Sequence, residues 1–382
     1  MAGFGFTKEQ DAFRLEMRRF AKEEVAPTAI ERHRTQTEIP VEIRRKLGKM
    51  GLMGYKQPKE YGGHDGEYVS LAIAIEEICK ADFLVGGNIT MPYAAIMAIG
   101  GGPKETKDEW IPGLISGEFI CPPANTEEHC GSDAAAIKTT AVKDGDSYIL
   151  KGEKTAICQC MNAHAAIVYA KTDPAAGFRG VTAFLVPMNT PGITRYPISY
   201  IGWKPQGLGG FFMDNVRIPE RYRVSKEGEG FYLAMSQFDF LRVGIAINAL
   251  AMAQSALEKA IEYTKKRMVF GKPAASFQGT SFKLVEHATM IELGRLMCYR
   301  ALYMNDQGQR HTKESAMAKW YCPKIAQEAI HDCVLAMGHY GYTIDMPVAE
   351  ILRDVVGHEI GDGVAQVMKT VLVRELIGKE YV

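Results

Sequence analysis

Short β-branched runs alternate with tight turns in the middle of the chain, and this feature limits the fold more than any other in the sequence. The runs lie at residues 139–142 and 148–150, and the DGD turn at residues 144–146 between them predicts a β-hairpin. We expect a second turn, KGEK at residues 151–154, to lead into a third strand at residues 155–158. The middle of the predicted fold is therefore an antiparallel sheet.

Helical periodicity dominates on both sides of these strands. Before them, apolar residues recur at helical spacing in four segments, which are residues 7–27, 41–50, 70–80 and 105–115. Thr7 is expected to cap the first helix and Pro27 to end or interrupt it. After residue 231 the helical segments are residues 246–267, 282–307, 314–337 and 364–376. Periodicity alone therefore predicts a helical part, a β part and a C-terminal helical bundle.

The composition argues against several classes of function. Lys plus Arg and Asp plus Glu each number 45, so the formal net charge is zero and no nucleic-acid or anionic-membrane partner is expected. We find neither a signal peptide nor a run of about 18 apolar residues, and we predict a cytoplasmic protein without a membrane span. The eight cysteines are scattered and lack zinc-site spacing, so we expect neither a disulfide nor a metal.

A series of motifs is specific enough to indicate a family. The order TE, a three-residue gap and GSD at residues 126–133, followed by KTTAVKDGDSYILKGEKTAI, resembles the middle domain of the acyl-CoA dehydrogenase family. The resemblance runs from about Phe6 to the C-terminus, with further motifs in the family's order. The chain also departs from the family, because EHC at residues 128–130 replaces PGA, and Ala156 and Cys158 replace the usual Trp and Thr beside the flavin.

The resemblance implies a fold and a cofactor. It implies an α+β fold with an N-terminal helical domain at residues 1–117, a middle β-barrel-like domain at residues 118–227 and a C-terminal four-helix bundle at residues 228–382. FAD would lie between the middle domain and the bundle. The hydroxyls of Thr126 and Ser132 would bond the flavin or thioester region, with the next strand packed on the flavin ring.

Two clusters in the C-terminal half have both a plain structural interpretation and a family interpretation. Without the family, KKRMVFG at residues 265–271 is a cationic helix end before a glycine, and MGHYGY at residues 337–342 is a helix-end turn. In the family, the matching Arg reaches the FAD pyrophosphate of a neighbouring subunit, and the matching glycine loop approaches the adenosine-diphosphate end. His339 replaces a glycine there, as a flavin contact or a surface ring. The resemblance assigns cofactor contacts to Thr126, Ser132, Ile157, Cys158, Arg267, Phe270, Gln278, Gly338, His339 and Gln366.

A third cluster, FDFLR at residues 238–242, concerns coenzyme A. Asp239 and Arg242 are three residues apart on a helix and can simply pair with each other. In the family this helix lines the coenzyme A channel. Leu241 stands where some relatives carry their catalytic Glu, so the base is not expected on this helix. The resemblance assigns substrate contacts to Ser132, Phe231, Asp239, Arg242, Gly363 and Arg374.

The segment HEIGDGVAQ contains the candidate base. It resembles the family's IYEGTxxIQ segment, whose Glu is the family's commonest base, and in register that position is Asp362. Gly361 replaces the Tyr and Val364 replaces the Thr. The alternative is that Asp362 only caps the helix that follows. Glu359 is the spare carboxylate if the register differs.

The resemblance implies an FAD-dependent acyl-CoA dehydrogenase. Asp362 would take the α-proton of the thioester, flavin N5 would take the β-hydride, and an electron-transferring flavoprotein would reoxidise the flavin. The family also implies a homotetramer. The alternatives are a short-chain acyl-CoA dehydrogenase, an enoyl-CoA reductase or an acyl-CoA oxidase of the same fold, and, from another class, a non-catalytic flavin or acyl-CoA binding protein.

The length of the candidate base suggests a substrate class. Asp is one methylene shorter than Glu, and Gly361 is smaller than Tyr, so the site has room for bulk at the α-carbon. We expect a branched or alicyclic thioester, such as cyclohexanecarboxyl-CoA or cyclohex-1-ene-1-carboxyl-CoA. Further small residues are expected to line the acyl pocket, and these are Gly86, Gly87, Ala94 and Ala95.

Overall fold

The structure, a computed structural model, describes residues 5–381. Seven α-helices form the N-terminal part of the described chain, and they are α1 (Lys8–Phe20), α2 (Ala26–Thr35), α3 (Val41–Lys49), α4 (Tyr68–Cys79), α5 (Phe83–Gly87), α6 (Met91–Gly100) and α7 (Lys104–Ile115). The predicted cap of the first helix is confirmed, because the Thr7 hydroxyl accepts a hydrogen bond from the backbone N–H of Gln10.

Pro27 is predicted to end or interrupt the first helix; α1 already ends at Phe20, so Pro27 does not end it, but the α-helical path is interrupted just before Pro27. After α1 the backbone passes through one π-helical turn, Ala21–Val25, and Pro27 then lies in the first turn of α2. Proline is tolerated there because the first N–H groups of a helix have no partner within it. Pro27 therefore marks a helix start.

Seven strands form one mixed sheet in the middle of the chain, and they are β1 (Pro123–Ala124), β2 (Thr140–Asp144), β3 (Ser147–Ile157), β4 (Ala165–Lys171), β5 (Val181–Pro187), β6 (Ile193–Pro197) and β7 (Gly209–Pro219). Their order is β1-β4-β2-β3-β7-β6, and β5 pairs with β4. β4 pairs with β1 and β2 in parallel, and the other pairs are antiparallel.

The predicted hairpin is confirmed, with Asp144 paired to Ser147 across its turn. The second turn and the separate third strand are wrong, because residues 151–154 continue β3. β7 pairs with Leu150 before this segment and with residues 152–154 within it, and the register shifts between Leu150 and Gly152. A β-bulge therefore takes the place of the predicted turn.

Five helices form the C-terminal part of the described chain, and they are α8 (Gly230–Lys266), α9 (Gln278–Asp306), α10 (Thr312–Met337), α11 (Pro347–Ile360) and α12 (Ala365–Leu376). A two-stranded hairpin of β8 (Met268–Val269) and β9 (Lys272–Pro273) lies between α8 and α9. α8 starts earlier than predicted, and α11 is a helix that the periodicity does not predict. The predicted order of a helical, a β and a helical part, and with it the α+β class, is confirmed.

Two apolar cores hold these parts together. The larger core joins the N-terminal helices to the bundle, for example through Ile75 of α4 and Leu250 of α8. The second core surrounds the sheet and includes Trp110 of α7. The sheet is therefore anchored on the N-terminal helices, and its strand β5 also contacts α8 of the bundle.

Two segments are apolar and long enough to cross a membrane, although none was expected. They are Phe83–Gly100 and Gly230–Lys266. The protein itself buries 67% and 83% of their apolar windows, and the first segment is interrupted between α5 and α6. A helix that is apolar on all sides because it lies in a protein core has the same composition.

Candidate active site

The N-terminal half of α8 supplies a buried arginine. Arg242 is 9% exposed, and its Nη1 lies 3.6 Å from Asp239 Oδ1 one turn earlier. The simple helical pair is therefore present, and Asp239 also accepts a hydrogen bond from the Thr312 hydroxyl at 2.6 Å. In addition, Arg242 Nε donates to the carbonyl oxygen of Asp362 at 3.5 Å. Arg242 thus connects α8 to the turn that carries the predicted base.

Asp362 occupies the turn between α11 and α12 in a left-handed conformation, with φ of 56°. This conformation costs a non-glycine residue about 1–2 kcal/mol. The capping alternative is wrong, because Val364 is the N-cap of α12 and no side chain caps that helix. Gly363 follows with φ of 109°, and a Cβ there would lie 2.6 Å from Met368 Cε, so the turn requires glycine.

Lys319 of α10 is a buried neighbour of this turn that the sequence analysis did not identify. Its Nζ donates to the carbonyl oxygens of His358 at 2.8 Å and Gly363 at 2.9 Å. Burial lowers the pKa of Lys319 to about 8, against the opposing effect of Asp362. Buried Ser315 and Cys322 lie one turn before and one turn after Lys319. A lysine on the buried face of a helix is unusual, and this position was the sequence signal that could have indicated its role.

Burial and the neighbouring cations have opposite effects on the pKa of Asp362. Burial raises the pKa of Asp362 above its ordinary value, whereas Lys319 and Arg242 act to lower it. Cys158 directly follows β3. Burial raises the pKa of the Cys158 thiol to about 12, and the nearby negative charge of Asp362 also raises it. The site therefore holds one carboxylate between two cations, beside a thiol that stays protonated.

A buried ion pair anchors the loop of the middle domain that carries Thr126 and Ser132. Lys154 Nζ lies 2.8 Å from Glu127 Oε1. Glu127 also accepts hydrogen bonds from the backbone N–H groups of Lys138 at 2.6 Å and Thr139 at 3.1 Å. The N–H of Thr155 donates to the Thr126 carbonyl at 3.0 Å, which ties the loop to β3.

The end of β3 lies beside this loop. Ile157 is buried, and Ala156 before it has φ of 55° and is exposed. Glu127, His129 and Cys130 also bring potential metal-binding atoms within 4.8 Å of one another. Both Glu127 oxygens already accept hydrogen bonds, as described above, so this group belongs to the network that anchors the loop.

The remaining cofactor candidates lie at the opposite end of the bundle. Arg267 caps α8, Phe270 is 92% exposed in the β8–β9 hairpin, and Gln278 begins α9. Gly338, with φ of 60° and open space around its Cβ position, and the exposed His339 follow α10. A stack of Tyr263 on Tyr340, with ring centroids 5.3 Å apart, holds these two groups of candidates together.

The length of α8 separates this second group from Asp362. Arg242 and Arg267 are 25 residues apart on one helix, which is about 37 Å at about 1.5 Å per residue. A single dinucleotide does not reach from one group to the other within one chain. Each group fits its part of FAD, because Thr126 and Ser132 offer hydroxyls, and Arg267 makes no ion pair within the described chain. The family resemblance expects the Arg267 group to reach the FAD of a neighbouring subunit, and this separation is compatible with that expectation.

Three further candidates lie at the margin of the site. Gln366 and Arg374 are exposed on α12. Phe231 is the second residue of α8, with its ring 5.5 Å from that of Phe178. Within the described residues, none of the three makes a hydrogen bond or ion pair with Asp362.

Trp203 packs against the end of α11, the helix that leads into the Asp362 turn, and no sequence motif indicated this contact. Its backbone N–H donates to Asp354 Oδ1 at 2.6 Å, and its indole N–H donates to the Asp354 carbonyl at 2.7 Å. Its ring lies 5.1 Å from that of His358, whose pKa burial lowers to about 3. A Cβ at Gly357 would lie 2.6 Å from Trp203 Cε2, so this helix needs glycine at the contact.

Family models match three consecutive parts of the chain. The N-terminal domain of acyl-CoA dehydrogenase matches residues 7–118, the middle domain residues 123–216 and the C-terminal domain residues 228–377.

Individual relatives match over nearly the whole length. An acyl-CoA dehydrogenase of Bacillus subtilis is 37% identical over 383 residues, covering 97% of this chain and 99% of the relative. The caffeyl-CoA reductase–Etf complex subunit CarC of Acetobacterium woodii is 33% identical over 384 residues, covering 98% and 100%. The structure of butyryl-CoA dehydrogenase from Megasphaera elsdenii gives a TM-score of 0.93 at 31% identity, covering 98% and 100%. This chain therefore belongs to the acyl-CoA dehydrogenase family of FAD-dependent oxidoreductases.

Proposed function

We propose that this enzyme dehydrogenates branched or alicyclic acyl-CoA thioesters, with Asp362 as the base. The observation that carries the proposal is the position of Asp362, in a turn between the cations of Arg242 and Lys319 and beside Cys158 of the middle domain. This is the junction of middle domain and bundle at which the family resemblance puts the flavin.

The surroundings of Asp362 suit the removal of an α-proton. Burial raises the pKa of the carboxylate and makes it a stronger base, while the two cations favour its ionised form. Within the described chain, no hydrogen bond occupies the backbone N–H of Asp362. That N–H can bond the thioester carbonyl and stabilise the negative charge that develops on its oxygen. FAD, when bound, supplies N5 as the acceptor of the β-hydride.

The size of the substrate is proposed from the base and the residue before it. An Asp side chain ends about 1.5 Å short of a Glu side chain. A Cβ at Gly361 would lie at ordinary contact distance from the Gly357 carbonyl oxygen, 3.5 Å, and from Trp203 Cη2, 3.6 Å, so a side chain there would not clash and its absence leaves room. A ring or branch at the α-carbon would fill the space and bring the proton within reach of Asp362.

The other small residues do not support this argument. A Cβ at Gly86 would lie 2.2 Å from Cys79 Sγ, so this glycine allows α5 to pack closely against α4. Ala95 is buried in the core around the sheet and Ala94 is also buried, while a Cβ at Gly87 would lie 3.4 Å from Asn248 Nδ2, and none of these contacts places the three residues beside Asp362. The proposal for the substrate therefore rests on Asp362 and Gly361.

We infer that an electron-transferring flavoprotein is the redox partner. The relative from Acetobacterium woodii is, by its name, part of a complex with such a protein. The same name supports a second candidate function, the reduction of an enoyl-CoA, which uses the same site in the opposite direction. A short-chain acyl-CoA is the alternative substrate, supported by the likeness to butyryl-CoA dehydrogenase.

We also propose a homotetramer in the cytoplasm. α9 exposes a stripe of large apolar side chains, which are Phe282, Val285, Leu293 and Leu296. Exposed apolar surface of this kind marks a protein contact. A partner chain at this end of the bundle would bring its Arg267 group towards FAD. All eight cysteines are free, which supports a reducing compartment.

A panel of thioesters tests the proposed activity. We would measure the reduction of an artificial electron acceptor with butyryl-, octanoyl-, isobutyryl- and cyclohexanecarboxyl-CoA. The proposal expects the highest kcat/KM with a branched or cyclic thioester. A clear preference for butyryl-CoA would contradict the substrate class, and no turnover in either direction would contradict the activity.

A further inference from the structure

We propose that Lys319 is a positioning residue that holds Asp362 in place and keeps it ionised. The proposal rests on the proposed role of Asp362 as the base. Lys319 itself acts through that carboxylate and through the backbone of its turn.

The hydrogen bonds of Lys319 bracket the base. His358 lies in the last turn of α11, where carbonyl groups have no partner within the helix, and Lys319 Nζ donates to its oxygen at 2.8 Å. The second bond, at 2.9 Å, goes to the oxygen of Gly363, directly after Asp362. One ammonium group therefore fixes the backbone on both sides of a residue in the left-handed conformation.

The charge of Lys319 has no direct ion pair. Lys319 is 1% exposed, and no carboxylate of the described chain lies within 4.0 Å of its Nζ. A neutral side chain with two donors could also bond these two carbonyl groups. A buried charge is costly unless an opposite charge is near, so hydrogen bonding alone does not explain why the residue is a lysine. The carboxylate that contributes most to the pKa of Lys319 is that of Asp362. The lysine therefore acts on the base by its charge as well as by its hydrogen bonds.

Few other charged or titratable groups face Asp362. Arg242 approaches from α8 and Cys158 from β3. Glu359 of α11 acts on Lys319, with a smaller effect than Asp362. Since Arg242 is paired with Asp239, Lys319 is the less compensated of the two cations.

Substitution of Lys319 separates its charge from its packing. In Lys319→Met the acid limb of kcat should move to higher pH by about one unit or more, because an ionised carboxylate without its cation holds a proton more tightly. KM for cyclohexanecarboxyl-CoA, or for butyryl-CoA if the panel favours it, should change less than twofold. Lys319→Arg keeps the charge and should restore the wild-type pH profile. Lys324→Met, at an exposed position of the same helix, is the matched control and should change nothing.

The outcomes decide between positioning and simple structural support. An equal loss of kcat at every pH, or a Lys319→Arg variant no better than Lys319→Met, would overturn the proposal. If Lys319→Met fails to fold with flavin, the double variant with Asp362→Asn decides. If the double variant recovers its flavin content, the charge coupling between Lys319 and Asp362 is supported, since the uncompensated carboxylate is gone. If the flavin content does not recover, the coupling is refuted. Asp362→Asn alone tests the base, so a failure of the proposed function is recognised separately.

Discussion

Removal of Lys154 should destabilise the middle domain and loosen the loop that carries Thr126. Lys154 is fully buried on β3, and its Nζ lies 2.8 Å from Glu127 Oε1. Although burial acts the other way, this cation and two backbone N–H groups hold the pKa of Glu127 below its usual range. Lys154→Met would leave a buried carboxylate with two backbone N–H donors and, of the cations described around it, the His129 imidazole at 3.6 Å, which is charged only when protonated.

The structure sets the size of the effect. Removing one partner of a buried ion pair costs about 3–5 kcal/mol, because the other charge stays buried. The exposed pair of Lys143 and Glu220, at 2.9 Å on the same sheet, is the matched control. Lys143→Met should cost less than about 1 kcal/mol.

Urea unfolding followed by flavin release measures both variants. We expect Lys154→Met to lower the unfolding free energy by several kcal/mol and to lose flavin at lower urea than the wild type. The double variant Lys154→Met, Glu127→Leu should recover part of the loss. A cost for Lys154→Met no larger than for Lys143→Met would refute the reasoning.

Gly357→Ala should force a methyl group against Trp203, which should reduce the free energy of unfolding by about 1–3 kcal/mol and lower the thermal midpoint. Gly279→Ala, where the added methyl group meets open space, is the control and should leave the midpoint unchanged. Equal midpoints for the two variants would contradict the contact. Asp354, whose pKa burial raises to about 7, binds a proton in the folded state that the unfolded chain releases above about pH 4. Its contribution to stability therefore falls as pH rises from about 4 to 7, and Asp354→Asn should flatten the pH dependence of the thermal midpoint; an unchanged slope would be contrary to this. Leu293→Glu on the exposed face of α9 should shift the mass in light scattering to a smaller species, and an unaltered mass would exclude that face from the interface.

Features of the fold that depend on interactions between residues close together in the chain were predictable from the sequence. The capping threonine of α1 and the DGD hairpin act over a few residues, and both are confirmed. The KGEK segment has the composition of a turn, but its pairing with β7 keeps it in β3. Pairing partners far away in the chain are not readable from such a segment.

The candidate site likewise combines residues that the sequence indicates with residues that only the folded structure brings together. The order of the family motifs was enough to propose Asp362 as the base, because the family match spans the chain. Lys319 appears as an ordinary helix residue until the turn after α11 brings two carbonyl groups to it. The large separation of Arg242 from Arg267 likewise follows only from the unbroken length of α8. Side-chain roles that depend on elements far apart in sequence therefore needed the structure.

The most direct test of the account compares Asp362→Asn with Glu359→Gln, the other carboxylate of the same segment. Single-turnover reduction of the bound flavin by the best thioester of the panel is the measurement, since it follows the chemical step. We predict that Asp362→Asn slows this step by about 10²-fold or more, the usual contribution of a general base, while Glu359→Gln stays near the wild-type rate. Near-wild-type reduction in Asp362→Asn, or its loss in Glu359→Gln alone, would contradict the assignment of the base.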